Sequence, residues 1–128
     1  MPTIESFLDS SSGLTVISVS GDVTPKELLK CIDHYYKGNR SNLVLWDFSV
    51  ANFLGIEAEL PKRAERKRNR WSRSGDRKAF VFPAPIKMDL KPLLEKYCQI
   101  EQTQSNLDIF RNLIDANKWL LQAREAHR

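Results

Sequence analysis

Residues 43–47 read Leu43-Val44-Leu45-Trp46-Asp47, four apolar side chains in a row and then a carboxylate. No other stretch constrains the fold as tightly. Period-two alternation would mark a strand with one wet face. An unbroken apolar run of this length suits a strand covered on both faces, as in a parallel sheet between helix layers. The run therefore predicts an interior strand whose far end, at Asp47, opens onto a loop.

On the N-terminal side lies a well-punctuated helix. Thr24 is placed as N-cap, Pro25 takes the first helical position, and Glu27 closes a capping box. Leu28, Leu29, Ile32, Tyr35 and Tyr36 share one face at helical spacing, and Gly38 ends the run. His34 points away from that face and Cys31 sits at its flank. Before the helix, Leu14 to Ser20 alternates and is rich in β-branched residues. Ile4 to Leu8 is a weaker strand, joined to it through the turn-like Ser10 to Gly13.

On the C-terminal side a second helix is expected within Ile56 to Arg73, with Ile56, Leu60, Ala64 and Trp71 on one face. Pro61 fits its first turn but not its interior. Ala79-Phe80-Val81-Phe82 reads as a short buried strand stopped by Pro83 and Pro85. Asp89 caps a third helix whose face is Leu90, Leu93, Leu94, Tyr97 and Cys98. Leu107 to Phe110 is the last strand, and Asn112 caps the last helix, with Asp115 three residues on. Leu113, Ala116, Leu120 and Ala123 are expected to face inward, with Ile114, Trp119 and Leu121 at the margins.

The order is ββαβαβαβα: an α/β sandwich with a mixed, mostly parallel five-stranded sheet and helices on both faces. All 128 residues fit one domain, with 126–128 as a frayed tail. A hydrophobic content of 41% is enough for a core without disulfides. No apolar run approaches the ~20 residues of a membrane span, and the N-terminus has no signal-peptide pattern. The two cysteines, Cys31 and Cys98, belong to no metal-binding motif, and a reduced cytoplasmic setting follows. No cofactor and no metal is called for.

Four phrases resemble a known family. Gly21-Asp22-Val23-Thr24 with Glu27-Leu28, Leu45-Trp46-Asp47-Phe48-Ser49, Ile109-Phe110-Arg111-Asn112, and Ala116 with Trp119-Leu120 resemble the STAS domain in its SpoIIAA-like (STAS/Sec14-like) branch. The likeness spans residues 14–121. It implies a SpoIIAA-like sandwich and a binding module rather than an enzyme. The best-known relatives are anti-sigma factor antagonists switched by phosphorylation of a serine at the start of the second helix. Here that place falls in Leu54-Gly55-Ile56-Glu57, which has no hydroxyl. A distant likeness to lipid-transfer domains implies a hydrophobic ligand as an alternative.

Two places qualify as candidate sites. The first is the exit of the central strand, with Asp47, Ser49, Asn52 and Gly55 in sequence and Pro83 expected beside them. It suits a small polar or phosphate-sized group, or the rim of a partner-docking surface. The plainer reading is turn chemistry, with Asp47 and Asn52 tying up loop amides. The second is the segment Lys62 to Lys78, with nine Lys or Arg against two acids, which leaves the rest of the chain net negative although the whole carries +4. On the second helix, Lys62, Arg66 and Arg73 lie opposite the apolar face, with Arg63 and Arg70 at one edge, while Lys67 points inward. An acidic protein partner is the leading functional reading, followed by anionic lipid headgroups and nucleic acid. Nucleic acid is disfavoured because Trp71, the segment's one aromatic residue, falls on the packed face. The plainer reading is a solvated helix side.

No acid–base pair or hydrolytic triad can be assembled from His34, His127, Glu57 or Glu59. The expectation is a non-catalytic module that recognises a protein partner through residues 47–55 and the basic second helix, with Arg63, Arg66 and Arg70 steering the encounter. The alternative is a carrier of a small apolar ligand or lipid, in a pocket lined by Trp46, Phe48, Phe53 and Phe82. The edge strand Ile4 to Leu8 also makes a homodimer a candidate state.

Overall fold

The computed structural model describes residues 2–9, 13–38, 43–55, 77–83, 91–92, 94 and 107–126. Six strands and two helices are defined among them. They are β1 (Thr3–Asp9), β2 (Leu14–Val23), α1 (Pro25–Gly38), β3 (Leu43–Asp47), β4 (Ala51–Phe53), β5 (Arg77–Val81), β6 (Leu107–Phe110) and α2 (Leu113–Ala126). Residues 91, 92 and 94 are also helical.

The sheet order is β1-β2-β3-β5-β6, with β1 antiparallel to β2 and every other neighbour parallel. The apolar run at 43–47 is thus an interior strand, flanked by β2 and β5, and its four apolar side chains are all buried. Their alternation divides the core in two. Val44 and Trp46 join Ile17, Val19, Phe80 and Leu107 beneath Leu28, Leu29 and Ile32 of α1. Leu43 and Leu45 join Leu14, Ala79 and Val81 beneath Ala116 and Leu120 of α2. The parallel strands step across the sheet in one direction. Right-handed crossovers between them belong on one face, where α1 and Leu94 pack. No strand follows α2 in the described chain, so it is free to cover the other face.

Helix α1 begins as its capping box predicts. Glu27 N donates to Thr24 Oγ1 at 3.2 Å, and Thr24 N donates to Glu27 Oε1 at 3.1 Å. At α2, Asp115 N donates to Asn112 Oδ1 at 2.9 Å, and Asn112 Nδ2 donates to Asp115 Oδ2 at 3.0 Å. Each start satisfies helix amides that have no intrahelical acceptor.

Three expectations are corrected. The sheet has a sixth strand, because β2 does not stop at Ser20: it passes through Gly21, at φ +87°, and continues to Val23, where β4 pairs beside it. The strand expected at 79–82 begins earlier, at Arg77, and ends at Val81. Leu113, in the first turn of α2, faces outward at 41% exposure; Ala116 and Leu120 do point in. Two cations of the basic segment, Arg77 and Lys78, lie on β5 and face opposite ways. Lys78 is 1% exposed on the α1 side of β5. Arg77 reaches the other way, donating from a guanidinium NH to the Trp119 carbonyl at 3.0 Å and lying 4.8 Å from the Trp119 ring centre. The second helix expected at 56–73, and all of the third helical face but Leu94, lie outside the described residues.

Candidate functional site

The carboxyl ends of β3, β5 and β2 converge on a loop spanning residues 48–55. A row of aromatic rings beneath it sets its position. Trp46, Phe48, Phe80 and Phe82 lie nearly parallel, with interplanar angles of 3–9° and centroids 5.4–6.5 Å apart. Tyr35 of α1 meets Trp46 edge-on at 5.6 Å, and Phe53 tilts against both Phe48 and Phe82 at 5.5 Å. Offset and edge contacts of this kind add about 0.5–1.5 kcal/mol each beyond area burial. Phe48 is fully buried, and its amide donates to the Val81 carbonyl at 2.8 Å, carrying the β3–β5 ladder one residue past the strand.

Four contacts then fix the loop. Asp47 Oδ1 accepts from Ser49 N at 3.0 Å and from Ser49 Oγ at 2.6 Å, an aspartate turn after which the chain resumes the direction of β3, parallel to β2. Ala51 N donates to the Phe48 carbonyl at 3.0 Å. The chain then runs beside β2 as β4, and Asn52 Nδ2 donates to Asp22 Oδ1 at 2.9 Å. Leu54 N closes the unit on the Val23 carbonyl at 2.9 Å. Gly55 follows at φ +70°, a backbone conformation that favours glycine, with open space where a Cβ would stand.

The candidate residues therefore separate into pairs. Asp47 and Ser49 are joined. Asn52 pairs with Asp22, which the sequence reading did not single out and which only a register for β4 against β2 would have brought forward. Gly55 stands exposed beyond them. Pro83 lies at the same edge, two residues past the Val81 that Phe48 bonds, and is half-buried. Arg63, Arg66 and Arg70 lie outside the described residues. The loop's outward side is apolar as well as polar: Val50 is 71% and Leu54 45% exposed, flanking Ser49 and Asn52. The sequence reading missed both, because nothing in a short loop distinguishes an outward apolar residue from an inward one.

The chemistry open to this loop is limited. Among the described residues no cluster of three or more metal-ligating side chains occurs. The Ser49 hydroxyl bonds a carboxylate, and a phosphate placed there would face that negative charge at short range. His34 is exposed on α1, on the opposite side of the helix from its packed face. Cys31 is half-buried, and burial, reinforced by Glu27 and opposed by Lys30, pushes its thiol up to about 11. A thiol so shifted is a poor nucleophile at neutral pH. No described helix is long and apolar enough to cross a membrane.

The strand order matters for what the edge can bind. In doubly wound sheets a ligand crevice opens where the strand order reverses. From β2 through β3 and β5 to β6 the order runs one way, so these parallel strands contain no such reversal.

Comparison with known proteins adds a likeness in shape. No protein-family profile matches the chain, and no curated protein matches it. Among solved structures, the chain is similar to an uncharacterized protein of the DUF3478 family with a SpoIIAA-like fold, from Shewanella loihica PV-4. Sequence identity is 14%, 93% of each chain is covered, and the TM-score is 0.47. No function passes across so distant a likeness, and the α/β architecture described above stands on its own strand order.

Proposed function

We propose that this domain is a non-catalytic recognition module that docks a protein partner on the rim formed by residues 47–55 and the basic segment after them. The observation that carries the reading is the loop itself: two exposed apolar side chains, Val50 and Leu54, on a backbone tied down at Asp47, Asn52 and Leu54. Most interfaces draw their energy from a few apolar anchors that are held in place before binding. Ser49 and Asn52 supply a polar surround. Arg63, Arg66 and Arg70 follow closely in sequence and would speed the approach of an acidic partner.

The carrier reading draws less support. Trp46, Phe48, Phe53 and Phe82 pack on one another. The one-way strand order also offers no crevice among the parallel strands for a small molecule.

Affinity capture from the native host tests the proposal, comparing the wild-type chain with the double variant Val50→Ser, Leu54→Ser. A discrete protein retained by the first and lost by the second is expected. Capture that is equal for both, or a co-purifying lipid in place of a protein, would overturn it.

A further inference from the structure

The opposite edge of the sheet carries a second surface, independent of the loop just described. β1 is a seven-residue edge strand, in regular register with β2 over its whole length. No described strand pairs with its outer edge, and neither described helix covers its side chains: Ile4 is 49%, Phe7 68% and Leu8 56% exposed. Natural edge strands are usually kept from pairing by brevity, lysine, proline or a bulge. From Thr3 to Asp9 the strand contains no lysine, no proline and no bulge.

The sequence of the strand also selects one partner and one register. We propose that the outer edge of β1 pairs antiparallel with β1 of a second copy of this chain, about a twofold axis at Ser6. Only every second residue of an edge strand points its backbone amide and carbonyl outward. A twofold centred on a residue matches the outward-pointing residues of one copy with those of the other; a twofold centred between residues does not. Three residue-centred registers are then in reach. Centring on Glu5 sets two glutamates against each other. Centring on Phe7 sets Glu5 against the partner's Asp9. Centring on Ser6 engages all seven residues, keeps every acid opposite a neutral side chain, and sets Ile4 against the partner's Leu8. Directly opposed residues share a face. Ile4 and Leu8 oppose Val19 and Thr15 of β2 and so lie on the α1 side, giving two apolar pairs across the junction there. Phe7 extends over the partner's Glu5 on the other side. The product is one sheet running continuously through two subunits.

Cysteine cross-linking of the full chain tests this, in a background of Cys31→Ala and Cys98→Ala. Opposed antiparallel residues have Cα atoms about 4.5–5.5 Å apart, within disulfide range; residues offset by two positions are about 8 Å apart, beyond it. Ser6→Cys is expected to give a disulfide dimer on mild oxidation. Glu5→Cys alone and Phe7→Cys alone should not, while an equimolar mixture of the two should. Sedimentation of the unmodified chain should give a dimer, and Ser6→Lys, which sets two ammonium groups face to face on an exposed position, should return it to monomer with an unchanged circular dichroism spectrum. A chain monomeric up to its solubility limit, cross-linking that ignores position, or a dimer untouched by Ser6→Lys would each overturn the proposal.

Discussion

Asn52 on β4 donates its side-chain amide to the carboxylate of Asp22 on β2 at 2.9 Å, joining two residues thirty positions apart. The two residues are opposed in the pairing of β4 with β2, the short sixth strand that follows the end of the central strand. Asn52 lies between the exposed Val50 and Leu54 in sequence.

Asn52→Ala should therefore loosen the loop without unfolding the domain. A hydrogen bond to a charged group contributes about 1.5–3 kcal/mol when shielded, and less at an exposed site such as this. The expected cost in urea unfolding is under about 1 kcal/mol. The sharper readout is hydrogen exchange. The Leu54 amide, bonded to the Val23 carbonyl, should lose protection, while amides of β3 should not.

The aromatic row beneath the loop is where stability concentrates. Phe80 is fully buried and stacks on Trp46, Phe48 and Phe82. Phe80→Ala should cost about 3–5 kcal/mol, a large share of a typical domain's total. Leu113→Ala, on the exposed first turn of α2, should change stability by no more than about 0.5 kcal/mol. Chemical denaturation of the two variants checks the contrast.

Thr24→Ala removes the hydroxyl that accepts from the Glu27 amide and donates to the Glu27 carboxylate, leaving only the backbone amide of residue 24 to bond that carboxylate. The expected loss is about 1 kcal/mol. Thr24→Asn, which also caps well, should restore most of it. Thermal melts of both variants test the capping box directly.

The Cys31 thiol, raised from 9.0 to about 11, carries a pH signature. Its folded-state pKa lies above the unfolded value, so between about pH 9 and 11 the folded chain binds more protons than the unfolded one. Its contribution is therefore fully present below pH 9 and is lost as pH rises through 11. Stability should decline more steeply across that window in the wild type than in Cys31→Ala. At pH 8 the thiol should alkylate about a hundredfold more slowly than an ordinary cysteine, in proportion to its thiolate fraction.

Much of this architecture was legible in the residues. The unbroken run at 43–47 specifies an interior strand because only a position covered on both faces suits four apolar side chains in a row. Thr24, Pro25 and Glu27 specify where α1 starts because capping chemistry is local. β4 was not legible: three residues have no usable periodicity, and its pairing depends on Gly21 letting β2 continue past Ser20. The outward Leu113 was misread and the burial of Lys78 was not foreseen for one reason. Whether a cation is withdrawn or a leucine left outside depends on where the sheet ends and which helix covers it, and neither is written in the residue's own neighbourhood. The candidate residues at the loop were legible by type, but their pairing was not. Asn52 finds its partner on another strand rather than in its own turn.

The docking rim is tested most directly by light-activated cross-linking in the native host, with a photoreactive phenylalanine analogue placed in turn at Val50, at Leu54 and, as a control on the exposed side of α1, at His34. A single protein adduct of defined mass from positions 50 and 54, absent from position 34, is the expected result. No adduct at 50 or 54, or the same adducts from all three positions, would contradict the account.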